Sequence, residues 1–98
     1  MMKPVFAAVV SLSVAFATPV FAASPTAAQK QEFFDVCFTI SQNQDLCACK
    51  ADAAMKLIDE RFMGVVIASM KGGSPKSEDY AAYNAYVAKS NQVCKPNY

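Results

Sequence analysis

Residues 46–58 read LCACKADAAMKLI, a stretch that carries apolar side chains on two separate flanks of one helix. The first flank holds Leu46, Ala53 and Leu57, and the second holds Cys47, Ala51, Ala54 and Ile58. A helix with two apolar flanks packs against two neighbours, so the stretch predicts a central helix from Leu46 to about Ile58. Asp45 is the residue expected to cap its beginning.

The chain contains four cysteines, Cys37, Cys47, Cys49 and Cys94, and an even number is typical of two disulfides in an exported protein. A bond between Cys47 and Cys49 is excluded, because these residues point about 200° apart on a helix and so small a ring is strained. Cys37 and Cys94 should therefore each bond one of the two, and both pairings stay open. In the loop-entropy model the shorter loop stabilises the fold by about 3 kcal/mol and the longer by about 4 kcal/mol.

Helical spacing of apolar residues continues on both sides of the central helix. The sequence predicts a first helix over residues 26–40, a third from Phe62 to Met70, and a last helix that begins near residues 74–77 and ends at Pro96. Residues 65–67 would also suit a strand, but the chain offers no second strand to pair with it. The predicted fold class is all-α: a small bundle of three to four short helices stapled by two disulfides.

Three local features complete the predicted fold. Residues 23–25 are expected to form a flexible lead, and Asp59 and Glu60 place negative charge at the start of the third helix. The last helix should bury one stripe of side chains and expose the opposite face. The stripe is Tyr80, Tyr83, Val87 and Cys94, with Tyr86 and Val93 at its edge and Lys89 opposite.

The first 22 residues have the layout of a cleavable secretory signal peptide. Lys3 gives one positive charge, residues 5–17 are apolar, and Val20 and Ala22 occupy positions −3 and −1 of a small-residue cleavage site. The apolar run is short for a membrane anchor, because its helix would span about 20 Å of a hydrocarbon core of about 30 Å. We expect a single domain, residues 23–98, located in the periplasm or outside the cell.

Composition excludes several classes of function. Cleavage would leave 76 of the 98 residues, too few for a Rossmann or barrel enzyme, and loss of Lys3 would lower the formal net charge from +1 to 0. A neutral domain lacks the basic patch that attracts nucleic acid or an anionic membrane. The chain has no histidine, and the pairs Asp59–Glu60 and Glu78–Asp79 diverge by about 100° on a helix. We expect no enzyme activity, no cofactor or metal, and no membrane span after cleavage.

Because these classes of function are set aside, the sequence favours a binding module with another protein as its partner. Examples of such a module are an inhibitor, an immunity-type protein or an envelope accessory protein. The candidate contact residues are Phe33, Tyr83 and Tyr86, because aromatic side chains give large contact areas at low entropic cost. The partner's identity does not follow from the sequence.

Two alternatives to a binding module stay open. Cys47 and Cys49 could exchange disulfides or carry Cu(I), with Met55, Met63 or Met70 as a further ligand. A periplasmic holdase that opens under acid stress is the second alternative. Since the chain has no histidine, its acid transition would come from carboxylates and lie well below neutral pH.

Overall fold

The structure, a computed structural model, describes residues 23–95, and these form a bundle of helices. The α-helices are α1 (Ala27–Ser41), α2 (Gln44–Leu57), α3 (Glu60–Met70) and α4 (Tyr80–Val93), and a 3₁₀ turn at Ser77–Asp79 precedes α4. Residues 23–95 contain no strand, which confirms the all-α prediction and the helical assignment of residues 65–67. The predicted signal peptide and the predicted helix stop at Pro96 lie outside the described residues.

Side-chain caps set the beginnings of α1 and α3. Thr26 and Gln29 form a capping box, in which each side chain accepts a hydrogen bond from the other residue's backbone N–H at 3.0 Å. The Asp59 carboxylate accepts from the Phe62 N–H at 2.8 Å and caps α3. Each cap satisfies a backbone donor that has no partner inside its own helix, so these polar residues fix where the helices start.

Only two residues, Gln42 and Asn43, join α1 to α2. Gln42 adopts the left-handed conformation with a φ of 56°, and its backbone N–H donates to Phe38 O, which ends α1. Asn43 Oδ1 accepts from the Leu46 N–H at 3.0 Å and caps α2. The prediction of Asp45 as the cap is therefore wrong, and α2 begins two residues earlier than expected.

Two disulfides connect α2 to its neighbours, and they show which of the two predicted pairings the chain adopts. Cys37 of α1 bonds Cys47, with Cα atoms 5.7 Å apart, and Cys49 bonds Cys94 at the end of α4, with Cα atoms 5.8 Å apart. All four cysteines are bonded, which confirms the prediction of two disulfides. α2 packs against both α1 and α4, as expected of the central helix, while α3 packs against α1.

The core lies where the four helices meet. Its buried cluster consists of Phe33, Ala51, Ala54, Phe62, Met63, Val66, Ile67 and Tyr86. The two members from α2 are alanines, so the central helix adds little volume and its neighbours approach its backbone closely. Most of the volume comes from α3, whose four buried side chains pack beside Phe33 of α1.

The buried face of α4 differs from the predicted stripe. Tyr86, Ser90 and Cys94 are buried, whereas Tyr80 is 46% exposed and Val93 is 59% exposed. The prediction of Tyr80 as a core residue is wrong, and Tyr86 belongs to the core rather than to its edge. The helix is therefore rotated relative to the orientation that its apolar periodicity predicts.

Anchors at both ends fix this rotation of α4. At its start, Arg61 Nη2 of α3 donates to Asp79 Oδ1 at 3.0 Å, and the Asp79 side chain is buried. At its end, Cys94 is bonded to Cys49. The side chains between the anchors follow from that rotation: Tyr83 and Val87 are half-buried, and Lys89 is exposed as predicted.

The prediction of a flexible lead is wrong, because residues 23–26 are folded against α3. The Ala23 carbonyl accepts from the Glu60 N–H at 2.7 Å, and Pro25 is buried. The Gln29 side chain donates to Glu60 O at 3.0 Å from the same side. Since Glu60 lies in the first turn of α3, its N–H has no acceptor within the helix, and Ala23 supplies one.

Removing residues 23 and 24 should therefore destabilise the domain. A chain that starts at Pro25 loses the Ala23 acceptor, which should lower the free energy of unfolding by about 1 kcal/mol relative to a chain that starts at Ala23. Urea unfolding followed by circular dichroism measures this difference. Equal midpoints for the two chains would contradict the contribution of the lead segment.

Two glycines differ in backbone conformation, while an added methyl group would meet no atom within 4 Å at either of them. Gly64 is exposed on α3 with open space around it, whereas Gly72 follows α3 with a φ of 107°. Gly64→Ala should raise the free energy of unfolding by about 0.5–1 kcal/mol, because glycine is a poor helix former. Gly72→Ala should lower it by about 1 kcal/mol, since alanine adopts positive φ at a cost. The two urea midpoints should move in opposite directions. Movement in the same direction would contradict the predicted difference between the two positions.

Candidate interaction surface

The structure separates the three predicted contact residues. Phe33 is 2% exposed and Tyr86 is 8% exposed, and both belong to the core. Tyr83 is half-buried and packs against the core from α4. In the folded domain Phe33 and Tyr86 are inaccessible and Tyr83 presents only part of its ring, so these three residues do not form an accessible aromatic surface.

A pair of phenylalanines on the outer side of α1 provides such a surface. The Phe34 and Phe38 rings lie one helical turn apart, with centroids 6.2 Å apart and planes only 4° from parallel. Phe38 is 38% exposed, and Phe34 is half-buried, with part of its side chain packed against the core. Stacked rings make a stiff apolar surface, and we call these two residues the aromatic ridge.

A shallow groove of about 440 Å³ lies beside the aromatic ridge, between α1 and α2. Its lining comprises Ala27, Lys30, Gln31, Phe34, Ala48, Ala51 and Asp52. Lys30 Nζ lies 2.7 Å from Asp52 Oδ1, and the hydrogen bond and charge of this ammonium hold the pKa of Asp52 below its usual value. Both side chains are exposed, so the pair contributes little to stability and can rearrange when a partner binds.

The backbone beneath the aromatic ridge is fixed covalently. Cys37, which directly precedes Phe38, is bonded to the fully buried Cys47 of α2. The Ser41 hydroxyl donates to Cys37 O at 3.0 Å and lies 3.2 Å from Cys47 Sγ. These contacts set the position of the ridge relative to α2 before any partner arrives.

A second groove, of about 400 Å³, lies where α2, α3 and α4 meet. Phe62 and Tyr86 line it, together with the exposed residues Ala82, Ala85 and Lys89. Both aromatic side chains are buried in the core, so this groove displays less aromatic surface than α1 does. The aromatic ridge is therefore the stronger candidate for partner contact.

Cys47 and Cys49, the predicted carriers of thiol exchange or Cu(I), both form disulfides, and Cys49 is the more exposed of the two. Within residues 23–95, no three side chains of histidine, cysteine, aspartate or glutamate converge in a way that could hold a metal ion. Nor does that part of the chain contain a helix with the length and apolar character to cross a membrane.

One carboxylate of each adjacent pair, Asp59 or Asp79, has a structural role in the described residues. Asp59 caps α3, as its position suggests. Asp79 makes no side-chain cap for α4 and instead pairs with Arg61. The hydrogen bond and charge of Asp79 raise the pKa of the Arg61 guanidinium, so this carboxylate joins α3 to the start of α4.

Tyr86 is the titratable side chain whose pKa the fold shifts most clearly. Its hydroxyl and Ser90 Oγ are buried, and neither has a hydrogen bond of acceptable geometry within residues 23–95. Burial raises the pKa of Tyr86 to about 12, and the nearby Ser90 offsets part of the rise. The folded domain therefore favours the neutral phenol over the phenolate.

Stability should consequently fall at alkaline pH. The contribution of Tyr86 is fully present below its ordinary pKa of 10.0 and is lost as the pH rises to about 12. Tyr86→Phe keeps the ring without the ionisable group, so it should flatten this decline while changing the free energy of unfolding at neutral pH by less than about 1 kcal/mol. Urea unfolding of both proteins at neutral pH and at about pH 11 checks the result. Parallel declines would contradict a buried, neutral Tyr86.

The chain matches no protein family, and comparisons with curated proteins and with solved structures identify no relative.

Proposed function

We propose that the protein is a small exported, non-enzymatic interaction module that binds another protein through the aromatic ridge of α1. The observation that carries this proposal is the stacked Phe34–Phe38 pair, which stays accessible on a helix covalently fixed to α2. Exposed aromatic carbon is poorly solvated by water, so covering it with a partner is favourable.

The rigidity of α1 supports binding at the aromatic ridge. Thr26 and Gln29 cap the helix, the buried Phe33 ties it to the core, and Cys37 is bonded to Cys47. Stacking also restricts the two phenylalanine side chains before a partner arrives. Association would therefore order few groups that were free, and little of the favourable contact energy would be lost as entropy.

The border of the aromatic ridge suits a protein partner. Gln31 Nε2 donates to Asp35 Oδ1 at 2.9 Å on one side, and the Lys30–Asp52 ion pair lies at the adjoining groove. Charges of both signs surround the apolar centre, unlike the uniformly basic surface that a nucleic acid requires. An apolar centre with a polar rim is the usual organisation of a protein–protein interface.

Export accounts for two disulfides in so small a domain. The layout of residues 1–22 is that of a secretory signal peptide, and disulfides persist in the periplasm and outside the cell. The bonds close sequence separations of 10 and 45 residues, which corresponds to about 3 and 4 kcal/mol of loop entropy. A small domain has a total stability of similar size, so this fold suits an oxidising compartment.

Site-directed photocrosslinking in cells tests this proposal. p-Benzoylphenylalanine replaces Phe38 in the full-length chain, and Gln92, which is exposed on α4, is replaced in the matched control. We expect a discrete protein adduct from position 38 that position 92 does not give and that Phe34→Ser abolishes. No adduct from position 38, or identical adducts from both positions, would argue against the aromatic ridge as the contact surface.

The crosslinked partner then permits a quantitative test. Phe38→Ala should weaken the affinity for that partner by about 30-fold or more, the usual effect of removing a central aromatic contact. Gln92→Ala should change the affinity by less than about twofold. Since Phe38 is exposed, its replacement should leave the free energy of unfolding within about 1 kcal/mol of the wild-type value. A large loss of stability would mean that Phe38 supports the fold instead.

A further inference from the structure

The two disulfides differ in their accessibility to a thiol. Each bond joins a buried cysteine to a half-buried one, since Cys47 and Cys94 are buried and Cys37 and Cys49 are half-buried. Their surroundings differ: Cys37 packs against the core, and the Ser41 hydroxyl lies against its bond to Cys47. Cys49 is partly exposed and, together with Cys94, lines a surface depression of about 360 Å³ at the end of α4. Exchange requires a thiolate to contact one of the two sulfur atoms, so the Cys49–Cys94 bond is the more accessible one.

Cys49 also borders a second opening on the other side of the same helix end. This depression, of about 180 Å³, is lined by Cys49, Ala53, Leu57 and Val93 among others. Val93 is one of the most exposed large apolar residues within residues 23–95. An apolar surface around a disulfide favours approach of a reagent that is itself partly apolar, such as a dithiol.

Apart from this bond, the Arg61–Asp79 pair holds the start of α4, while several polar groups on its docked face are poorly satisfied. Its buried face carries the hydroxyls of Tyr86 and Ser90, neither of which has a hydrogen-bond partner within residues 23–95. Lys50 of α2 donates to Asn91 of α4, and burial lowers the pKa of that lysine, because its charge is poorly solvated there. Water would solvate the two hydroxyls and the Lys50 ammonium after α4 leaves, which offsets part of the cost of breaking the Lys50–Asn91 and Arg61–Asp79 contacts.

The helix nevertheless covers apolar surface. Ala53 is buried and Leu57 is half-buried on the flank of α2 that carries Cys49, and Phe62 of α3 lines the groove beside α4. Departure of α4 would expose these side chains to solvent. α1 would still pack against both α2 and α3, so the remaining three helices keep contacts of their own.

We infer that the Cys49–Cys94 disulfide is a site of thiol–disulfide exchange with a dithiol, and that its opening releases α4 while Cys37–Cys47 keeps α1 joined to α2. One thiolate of the dithiol attacks Cys49 Sγ, forms an S–S bond to it and expels Cys94 as a thiolate. The second thiolate then attacks the sulfur of the dithiol in this mixed disulfide and expels Cys49 as a thiolate. The dithiol is oxidised to a disulfide, and the two cysteines take up its two protons.

This exchange goes beyond partner binding at the aromatic ridge and does not depend on it. The ridge lies on α1, next to the covered bond, whereas the exchange site lies on the opposite flank of α2. The two proposals therefore predict different effects of the same substitutions.

Timed reduction tests the exchange site. The purified, oxidised protein is treated with limiting dithiothreitol, quenched with iodoacetamide at intervals and mapped by peptide mass spectrometry. Cys49 and Cys94 should be alkylated at a rate at least about tenfold that of Cys37 and Cys47, because a thiolate can reach Cys49 from the two surface depressions that it lines. Equal rates, or earlier alkylation of Cys37 and Cys47, would overturn the inference.

Hydrogen–deuterium exchange tests the release of α4. The C49S/C94S variant represents the opened bond, and C37S/C47S is the matched control that keeps the outer bond. In C49S/C94S, the α4 amides should exchange at least about tenfold faster than in the wild type, while α1, α2 and α3 keep their protection. Protection of α4 as in the wild type, or its loss in all four helices, would overturn the inference. Crosslinking from position 38 in the same variant reports separately on the aromatic ridge.

Discussion

The fold depends on the covalent attachment of two helices to α2. Two cysteines of α2, two residues apart, are bonded to helices on its opposite sides. Cys47 and Cys49 point about 200° apart, so one bond fixes α1 and the other fixes the end of α4. The alanines of α2 keep both flanks thin, which lets each neighbour come close enough for a disulfide. α3 then fills the side of α1 that α2 leaves open, and it supplies most of the bulk of the core.

The cysteine spacing limited the disulfide pairing to two choices, and the conformation of one connecting residue decides between them. In a short hairpin, Cys37 can reach either Cys47 or Cys49, depending on which flank of α2 faces α1. The two-residue connection with a left-handed Gln42 turns the Cys47 flank toward α1. Glycine or asparagine would have marked such a turn, but glutamine is uncommon in this conformation, so the sequence offered no sign of it.

Apolar periodicity identified the helices correctly, but it did not show which face of each helix is buried. Six of residues 33–40 are apolar, so the apolar arc of α1 is too broad to show which phenylalanine is core. Packing of the helices decides it: Phe33 is buried, Phe34 is half-buried against the core and Phe38 is exposed. In α4 the two ends are tied to α3 and α2, so contacts distant in sequence set its rotation and bury Tyr86. A pattern read from one helix contains no information about such anchors.

The two disulfides act on different parts of the molecule. They therefore separate two properties that a small domain has difficulty combining, a rigid contact surface and a helix that can be released. The Cys37–Cys47 bond closes the short loop, lies against the core and holds the helix that presents the aromatic ridge. The Cys49–Cys94 bond closes the long loop and borders a surface depression, and it holds a helix whose two buried hydroxyls have no hydrogen-bond partner within residues 23–95. Opening the outer bond can affect the ridge by displacing α2, or by displacing α3, which packs against α1 and is tied to the start of α4 by Arg61 and Asp79. The contacts that resist such a displacement are those with α1, which the inner bond secures. A partner at the ridge and a dithiol at Cys49 therefore act on different faces of one molecule, which α2 and the shared core connect.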